Sequence, residues 1–394
     1  MDKKDYKINI VGAGLSGLIA AKVLENHGYH PDIFEAGNTV GGRITTEEIK
    51  GHRLDRGFQV LLSEYPKVKQ YLDLKKLNIK SLKPGAVIFT QGKKRKIGDP
   101  LRDSSFLFSS VFSGIGNLAD KIKILKLYFE LKAIDPEAIF EEKETTTLEY
   151  LQQEGFSADI IKNFFRPFFS GIFLEPDLRT SSRMFRFVFK MFGEGEAVIP
   201  ALGMGEISRQ LVESLVNTKI HFNTRVKQVT DSILKLEDGR NLKFHFTIIA
   251  AEASSLVSNL RNQQMDWKSC HCFYFTAKEA GIEGKVIGLI AEESALINNI
   301  FYHSSLEDND VEEHLLSVTI VKDTDLDPGK LESRVRRELK EYCNITVDQL
   351  VKHYDIKKAL PDIGILEYGL MPTETRLSNR IFLAGDQLLN ASQN

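Results

Sequence analysis

The segment that most constrains this chain is Gly12-Ala13-Gly14-Leu15-Ser16-Gly17, which fits G-x-G-x-x-G between a strand pattern and a helix pattern. The apolar run Lys7-Ile8-Asn9-Ile10-Val11 reads as a buried parallel strand. Residues 15–27 carry Leu18, Ala21, Val23 and Leu24 at helical spacing and stop at Gly28, after which Asp32-Ile33-Phe34-Glu35 is the next strand. In such a unit Gly12 turns the chain tightly, Gly14 lets the backbone approach a pyrophosphate, and Gly17 lets helix and strand pack closely. The helix start at Leu15 and Ser16 offers unpaired N–H groups and a positive dipole end to phosphates. Glu35, followed by Ala36, sits where a carboxylate accepts hydrogen bonds from both ribose hydroxyls and repels a 2′-phosphate, which argues against NADP.

A chain of 394 residues exceeds what one core holds, since single cores stop growing beyond roughly 250–300 residues. With 52 Lys plus Arg against 54 Asp plus Glu, the net charge of −2 gives no footprint for nucleic acid. Cys270, Cys272 and Cys343 form neither a disulfide framework nor a zinc pattern. The alternation around Cys270 reads as a strand buried on both faces, and a reducing cytoplasm is the natural location. No secretory signal precedes the first strand, and the uncharged run from Ser104 to Ala119 is too short to span a bilayer. The expectation is a cytoplasmic protein with at most peripheral membrane contact.

A second α/β stretch begins at Gly205, with a helix to Leu215 and short strands at Ile220–Phe222, Arg225–Val229 and Ile233–Leu236. Asp238-Gly239 marks a hairpin, and Phe246 to Ala250 is a further strand. Between these stretches, residues 83–190 read as mostly helical, and residues 269–321 as an antiparallel sheet. The fold class is therefore α/β: a Rossmann-like nucleotide-binding domain with an inserted α+β substrate domain of antiparallel sheet plus helices. The first is assigned to 1–75, 195–258 and 365–394, the second to 76–194 and 259–364.

Three further segments narrow the dinucleotide. Val40-Gly41-Gly42-Arg43-Ile44-Thr45 offers close backbone approach plus a guanidinium. Leu54-Asp55-Arg56-Gly57-Phe58-Gln59 follows it, and Arg380-Ile381-Phe382-Leu383-Ala384-Gly385-Asp386 lies near the end. Together with G-A-G-L-S-G-L and E-A-x-x-x-x-G-G-R-x-x-T, these resemble the FAD-binding fingerprint of flavin amine oxidases, protoporphyrinogen oxidases and phytoene desaturases. The resemblance implies that Gly12, Gly14 and Gly17 serve the pyrophosphate turn, that Glu35 holds the adenosine ribose, and that Gly42 and Arg43 lie along the pyrophosphate and ribityl chain. It places Gly57, Phe58 and Gln59 at the cofactor, gives the backbone of Val226 (in Thr224-Arg225-Val226) to adenine, and gives Gly385 and Asp386 to the ribityl or pyrophosphate oxygens. Phe58-Gln59-Val60 and Phe164 to Phe173 resemble the desaturase-like members most.

In that family a helix of roughly twenty residues follows Gly-Asp, its N-terminus aimed at the flavin pyrimidine. The sequence ends at Asn394, and a chain without that helix is expected to differ in FAD affinity and reduction potential. No Cys lies in the terminal segment, so noncovalent FAD is expected.

Flavin oxidoreductases ask little of acid–base side chains, because the isoalloxazine accepts a hydride at N5 while the protein orients, excludes water and tunes the electrostatics. Accordingly no triad, metal site or catalytic lysine is anchored by a motif. Phe numbers 25 against one Trp, and nine of the Phe fall between Phe164 and Phe192. They read either as helix core or as an aromatic tunnel for a large apolar substrate. Lys93-Lys94-Arg95-Lys96 reads as a solvated hairpin tip, or as a patch for anionic lipid. The expected activity is hydride removal from an apolar substrate by FAD, with dioxygen or a quinone-type acceptor reoxidising it. The alternatives are an amine oxidase acting on an amine substrate, and a non-catalytic flavin-binding scaffold.

Overall fold

The computed structural model describes residues 2–98, 114–260, 266–307, 312–362 and 375–386. Residues 387–394, where a further helix is expected to begin, lie outside the described residues, as does most of the uncharged run after Ser104.

Five parallel strands form the first sheet, in the order Lys219–His221, Asp32–Phe34, Ile8–Val11, Phe246–Ile249, Ile381–Leu383. Ile8, Ile10 and Val11 are buried, as a central parallel strand covered on both faces requires. The chain leaves Ile8–Val11, crosses through the Leu15–Asn26 helix and returns beside it, whereas the later strand Phe246–Ile249 joins on the opposite side. The loop after Val11 therefore sits at a topological switch point, where open α/β sheets bind their ligands.

The second large sheet has seven strands in the order Leu350–Pro361, Trp267–Ala277, His314–Ile320, Ile297–Tyr302, Ile287–Ile290, Gly85–Thr90, Lys93–Gly98. It departs from the antiparallel expectation at one seam, where Ile287–Ile290 and Gly85–Thr90 run parallel. The stretch read as mostly helical thus contributes two strands to it. Period-two alternation assigns its faces. Val87, Phe89, Phe273, Phe275, Val318 and Ile300 pack on Leu331, Val335 and Leu339 of the Pro328–Cys343 helix. On the other face Ala86, Ile88 and Leu289 meet the Phe-rich helices.

Those helices are Arg166–Phe173 and Ser182–Glu194. A π-helical turn at Ile161–Phe165 leads into the first, just before Pro167, whose ring and missing N–H are incompatible with an uninterrupted α-helical ladder. Lys93–Lys96 does not form a hairpin tip. Gln91 and Gly92 make the turn with φ of 52° and 68°, and the lysines lie on the edge strand, where Lys94 Nζ donates to the Gly281 carbonyl at 2.7 Å. Charge on an edge strand is a common guard against edge-to-edge pairing.

Candidate functional site

The glycine turn is built by three strands meeting. The Gly12 amide donates to the Phe34 carbonyl at 2.9 Å, and the Ala250 amide donates to the Val11 carbonyl at 2.9 Å. Gly12 has φ +101°, a left-handed conformation that disfavours a side chain. A Cβ on Gly17 would lie 2.0 Å from the Gly12 carbonyl oxygen, so only glycine lets the helix start this close to the strand. At Gly14 a Cβ would meet nothing within 4 Å. The open space at Gly14 is not demanded by the protein's own packing, and it lies before the Leu15–Asn26 helix, whose N-terminus has no side-chain cap. Unpaired amides facing open space are what a pyrophosphate needs.

Glu35 stands at the end of the second strand. Its Oε2 accepts the Ala13 amide and its Oε1 the Gly37 amide, each at 2.7 Å. A carboxylate has about four lone-pair sites, so both oxygens keep capacity for ribose hydroxyls.

The Gly-Gly-Arg turn lies alongside. Gly41 donates to the Ala13 carbonyl at 2.9 Å and bridges Gly14 as a parallel partner. Arg43 forms an ion pair with Asp386 and donates to the Ala359 carbonyl at 3.0 Å. Gly385, at φ +94°, brings its backbone against Ser16, whose Oγ would lie 3.0 Å from an added Cβ. Segments far apart in sequence thus close on one another.

These turns open onto one cavity of about 1710 Å³. A single-ligand pocket is usually about 300–1,000 Å³, so the space suits two ligands end to end. Gly12, Gly14, Leu15, Ser16, Glu35, Gly42, Arg43, Gly57, Phe58, Gln59, Gly385 and Asp386 line it. Gly17 lies behind the turn, Ala36 is exposed outside the lining, and Val226 is buried among Val229, Leu234 and Phe244.

Beyond the turns the cavity runs between the second sheet and the Phe-rich helices. The nine phenylalanines divide between both readings: Phe165, Phe173, Phe185 and Phe187 are core, Phe164, Phe168, Phe189 and Phe192 are partly buried and line the cavity, and Phe169 is buried core that also reaches the lining. The Leu118–Ala133 helix lines the far end with Leu118, Lys121, Ile122 and Tyr128.

One lining residue had no motif to announce it. Trp267, the sole tryptophan, has the Arg43 guanidinium 5.4 Å and the Lys358 ammonium 5.6 Å from its ring centroid. Its indole N–H is buried with no acceptor among the described residues. A lone Trp at the head of a strand was the available signal. Cys270 and Cys272 also line the cavity, but burial pushes their thiols up to about 11 and about 12, so both stay protonated at neutral pH. Among the described residues no group of three or more His, Cys, Asp or Glu side chains could hold a metal ion, and no helix is long and apolar enough to cross a membrane.

Residues 15–386 match the family model described as flavin containing amine oxidoreductase. An L-amino acid oxidase from Bothrops pictus is 30% identical over 160 residues, which are 38% of this chain and 32% of that protein. A 4,4'-diapolycopen-4-al dehydrogenase from Metabacillus indicus is 41% identical over 56 residues, 14% of this chain and 11% of that protein. The chain thus aligns with about a third or less of the length of these curated relatives. The crystal structure of an oxidoreductase from Methanosarcina mazei shares the fold, with a TM-score of 0.74 at 18% identity over 96% of this chain and 94% of that one. The open turn at Gly14, the acid beyond it and the Gly-Asp segment packed against Ser16 and Arg43 fit the cofactor this family carries, and the chain belongs to the flavin containing amine oxidoreductases, a family of FAD-dependent oxidoreductases.

Proposed function

We propose that the chain binds FAD noncovalently and dehydrogenates a largely apolar substrate held in the Phe-lined part of the same cavity. The observation that carries this reading is continuity: one cavity is lined both by the Gly12 turn and by Phe164, Phe168, Phe189 and Phe192. FAD, when bound, supplies the hydride acceptor. The amides at Gly14 to Ser16 hold the pyrophosphate, Glu35 the ribose, and the Gly42-Arg43 and Gly385-Asp386 turns close over the linker. Gly57, Phe58 and Gln59 extend that wall toward the chamber, where the phenylalanines exclude water. Dioxygen or a quinone-type acceptor completes the cycle.

The test is an absorption spectrum of the purified protein, then anaerobic bleaching with polyene and amine panels. A two-band flavin spectrum that bleaches with largely apolar polyenes, hydroxylated ones included, is expected. A protein that carries no flavin and takes up none sinks the proposal. Bleaching by amines alone moves the chain to the amine-oxidising reading, which the similarity to the Bothrops pictus enzyme favours.

Glu35→Ala is expected to weaken FAD binding by about 1.5–3 kcal/mol, the range for hydrogen bonds to a charged group. Quenching of the single tryptophan at Trp267, which lines the cavity, gives the affinity directly. An unchanged affinity counts against the ribose assignment.

The substrate's route follows from the Leu118–Ala133 helix. Leu118, Ile122, Leu125 and Phe129 are 69%, 59%, 40% and 59% exposed and fall on one helical stripe, with Lys121, Lys126 and Lys132 beside it. Leu118, Ile122 and Leu125 also line the cavity. We propose a peripheral membrane contact through this helix rather than through Lys93–Lys96. Co-sedimentation with phosphatidylserine vesicles is expected, and the Ile122→Glu/Phe129→Glu variant should remain in the supernatant. Equal sedimentation of both proteins removes the helix from this role.

A further inference from the structure

One cross-strand row of the second sheet runs beside the cavity, which Cys272, Thr319, Asn299 and Leu289 line. Cys272 pairs in register with Thr319, Thr319 with Asn299, Asn299 with Leu289, and Leu289 with Ile88. The row is thus polar at one end and hydrocarbon at the other. Next to Asn299 the register slips: Ile297 faces Ile320 while Asn299 faces Thr319, which leaves Asn298 as an extra residue on its strand. Regular alternation would send Asn298 toward the apolar cluster under the Pro328–Cys343 helix, where Ile297 and Ile300 lie. The bulge brings it to the cavity beside Asn299 instead. Bulges of this kind re-aim side chains and gather next to active sites.

Two amides and a hydroxyl are expensive to bury in such a lining. Asn298, Asn299 and Thr319 are only 7%, 3% and 6% exposed. Their mutual bonds satisfy part of their capacity. Asn298 Nδ2 donates to the Pro167 carbonyl at 3.1 Å and to Asn299 Oδ1 at 3.0 Å, and Asn299 Nδ2 donates to Thr319 Oγ1 at 3.4 Å. Asn298 Oδ1 accepts no hydrogen bond from the described residues, and the second N–H of Asn299 donates to none of them. Gly171 makes the room, because a Cβ there would lie 2.7 Å from Asn298 Nδ2.

The row holds no countercharge. The carboxylates lining the cavity are Glu35, Glu252, Asp355 and Asp386, and each is engaged elsewhere: with the Ala13 and Gly37 amides, Lys358, Lys357 and Arg43. A free acceptor beside a free donor, with no charge, matches an alcohol oxygen, which donates one hydrogen bond and accepts another.

We propose that Asn298, Asn299 and Thr319 form a subsite for an uncharged hydroxyl group on an otherwise hydrocarbon substrate, so that the substrate class is an apolar alcohol rather than a pure hydrocarbon or an amine. The proposal rests on reading this cavity as the substrate chamber. The alcohol donates to Asn298 Oδ1 and accepts from Asn299 Nδ2, and its hydrocarbon body runs along Leu289 and the phenylalanines.

The test titrates the protein with farnesol, farnesene and farnesylamine, following Trp267 fluorescence, which does not require flavin. Farnesol is expected to bind at least tenfold more tightly than either analogue. Thr319→Val, which keeps the side-chain shape but removes the oxygen that fixes the Asn299 amide, and Asn298→Leu should each weaken farnesol about tenfold and leave farnesene within twofold. If Asn298→Leu fails to fold, Thr319→Val still carries the test. Equal binding of farnesol and farnesene, tighter binding of farnesylamine, no saturable response, or an equal loss of both ligands in the variants would each overturn the proposal. A missing flavin spectrum alongside a retained farnesol preference would instead remove the enzyme reading and leave the subsite standing.

Discussion

Gly14→Ala should fold as well as the parent protein and fail to hold FAD, whereas Gly17→Ala should fail at both. The two glycines are three residues apart in one motif, yet the structure assigns them different constraints. Gly14 has φ −72° and ψ 177°, a conformation that alanine adopts freely, and its Cβ would enter open space. Replacing glycine at such a position lowers the entropy of the unfolded chain and stabilises by about 0.4–1 kcal/mol. The added methyl then occupies the approach proposed for the pyrophosphate, and a loss of at least about 2.7 kcal/mol, a hundredfold in affinity, is expected. At Gly17 the methyl would lie 2.0 Å from the Gly12 carbonyl oxygen, so the helix must lift off the strand before any ligand arrives. Thermal unfolding of the apoprotein and FAD titration separate the cases. A Gly14→Ala protein that binds FAD normally would place the pyrophosphate elsewhere.

Asp55→Asn should raise stability at pH 7 and leave the protein more acid-sensitive than before. Burial pushes the Asp55 carboxyl up to about 6, although Thr46 Oγ1 and the Met204 amide donate to it at 2.5 and 2.8 Å. The folded protein therefore holds a proton that the unfolded chain releases near its ordinary value of 3.8, and the stability this provides at low pH is lost as pH rises through about 6. At 1.36 kcal/mol per pH unit the penalty at neutral pH is on the order of 3 kcal/mol. Asparagine keeps an oxygen for both donors and does not ionise.

His303 works in the opposite direction. Burial among Phe58, Phe301 and Tyr274 pushes its imidazole down to about 4 from 6.5, so the stability it contributes is complete above 6.5 and is lost as pH falls toward 4. Between about 4 and 6 the two groups oppose each other, and the parent protein should show a shallow profile. With Asp55 neutralised, the histidine slope stands alone. Melting temperatures from pH 4 to 8 read this out, and parallel curves for parent and variant would refute the account.

The glycine turn, its helix and the acid at the next strand end were legible because their signals are local. A glycine that must turn, a glycine that must leave space and an acid at the next strand end are all encoded within residues 12–35, even though Ala250 of a distant strand packs on the same turn. The chamber was much less legible. Asn298 and Asn299 face the cavity together only because of a one-residue slip against Thr319, and strand register depends on partners far away in the chain. The phenylalanines carried the same helical spacing whether they faced core or cavity, so their division waited on packing. Lys93 to Lys96 looked like a loop because charge usually marks one, whereas edge strands carry it too.

The first sheet also has a consequence for how the protein is made. Its outer strand, Ile381–Leu383, covers the edge of Phe246–Ile249, and Asp386 closes on Arg43 just beyond it. Synthesis proceeds at about 5–20 residues per second, so the edge of Phe246–Ile249 waits about 7 to 26 s for its neighbour while the second sheet is still being made. An uncovered apolar edge invites pairing with other chains. The nascent protein is therefore exposed to aggregation during a defined interval of translation, and ribosomes that stall between residues 250 and 380 would leave chains with that edge still open.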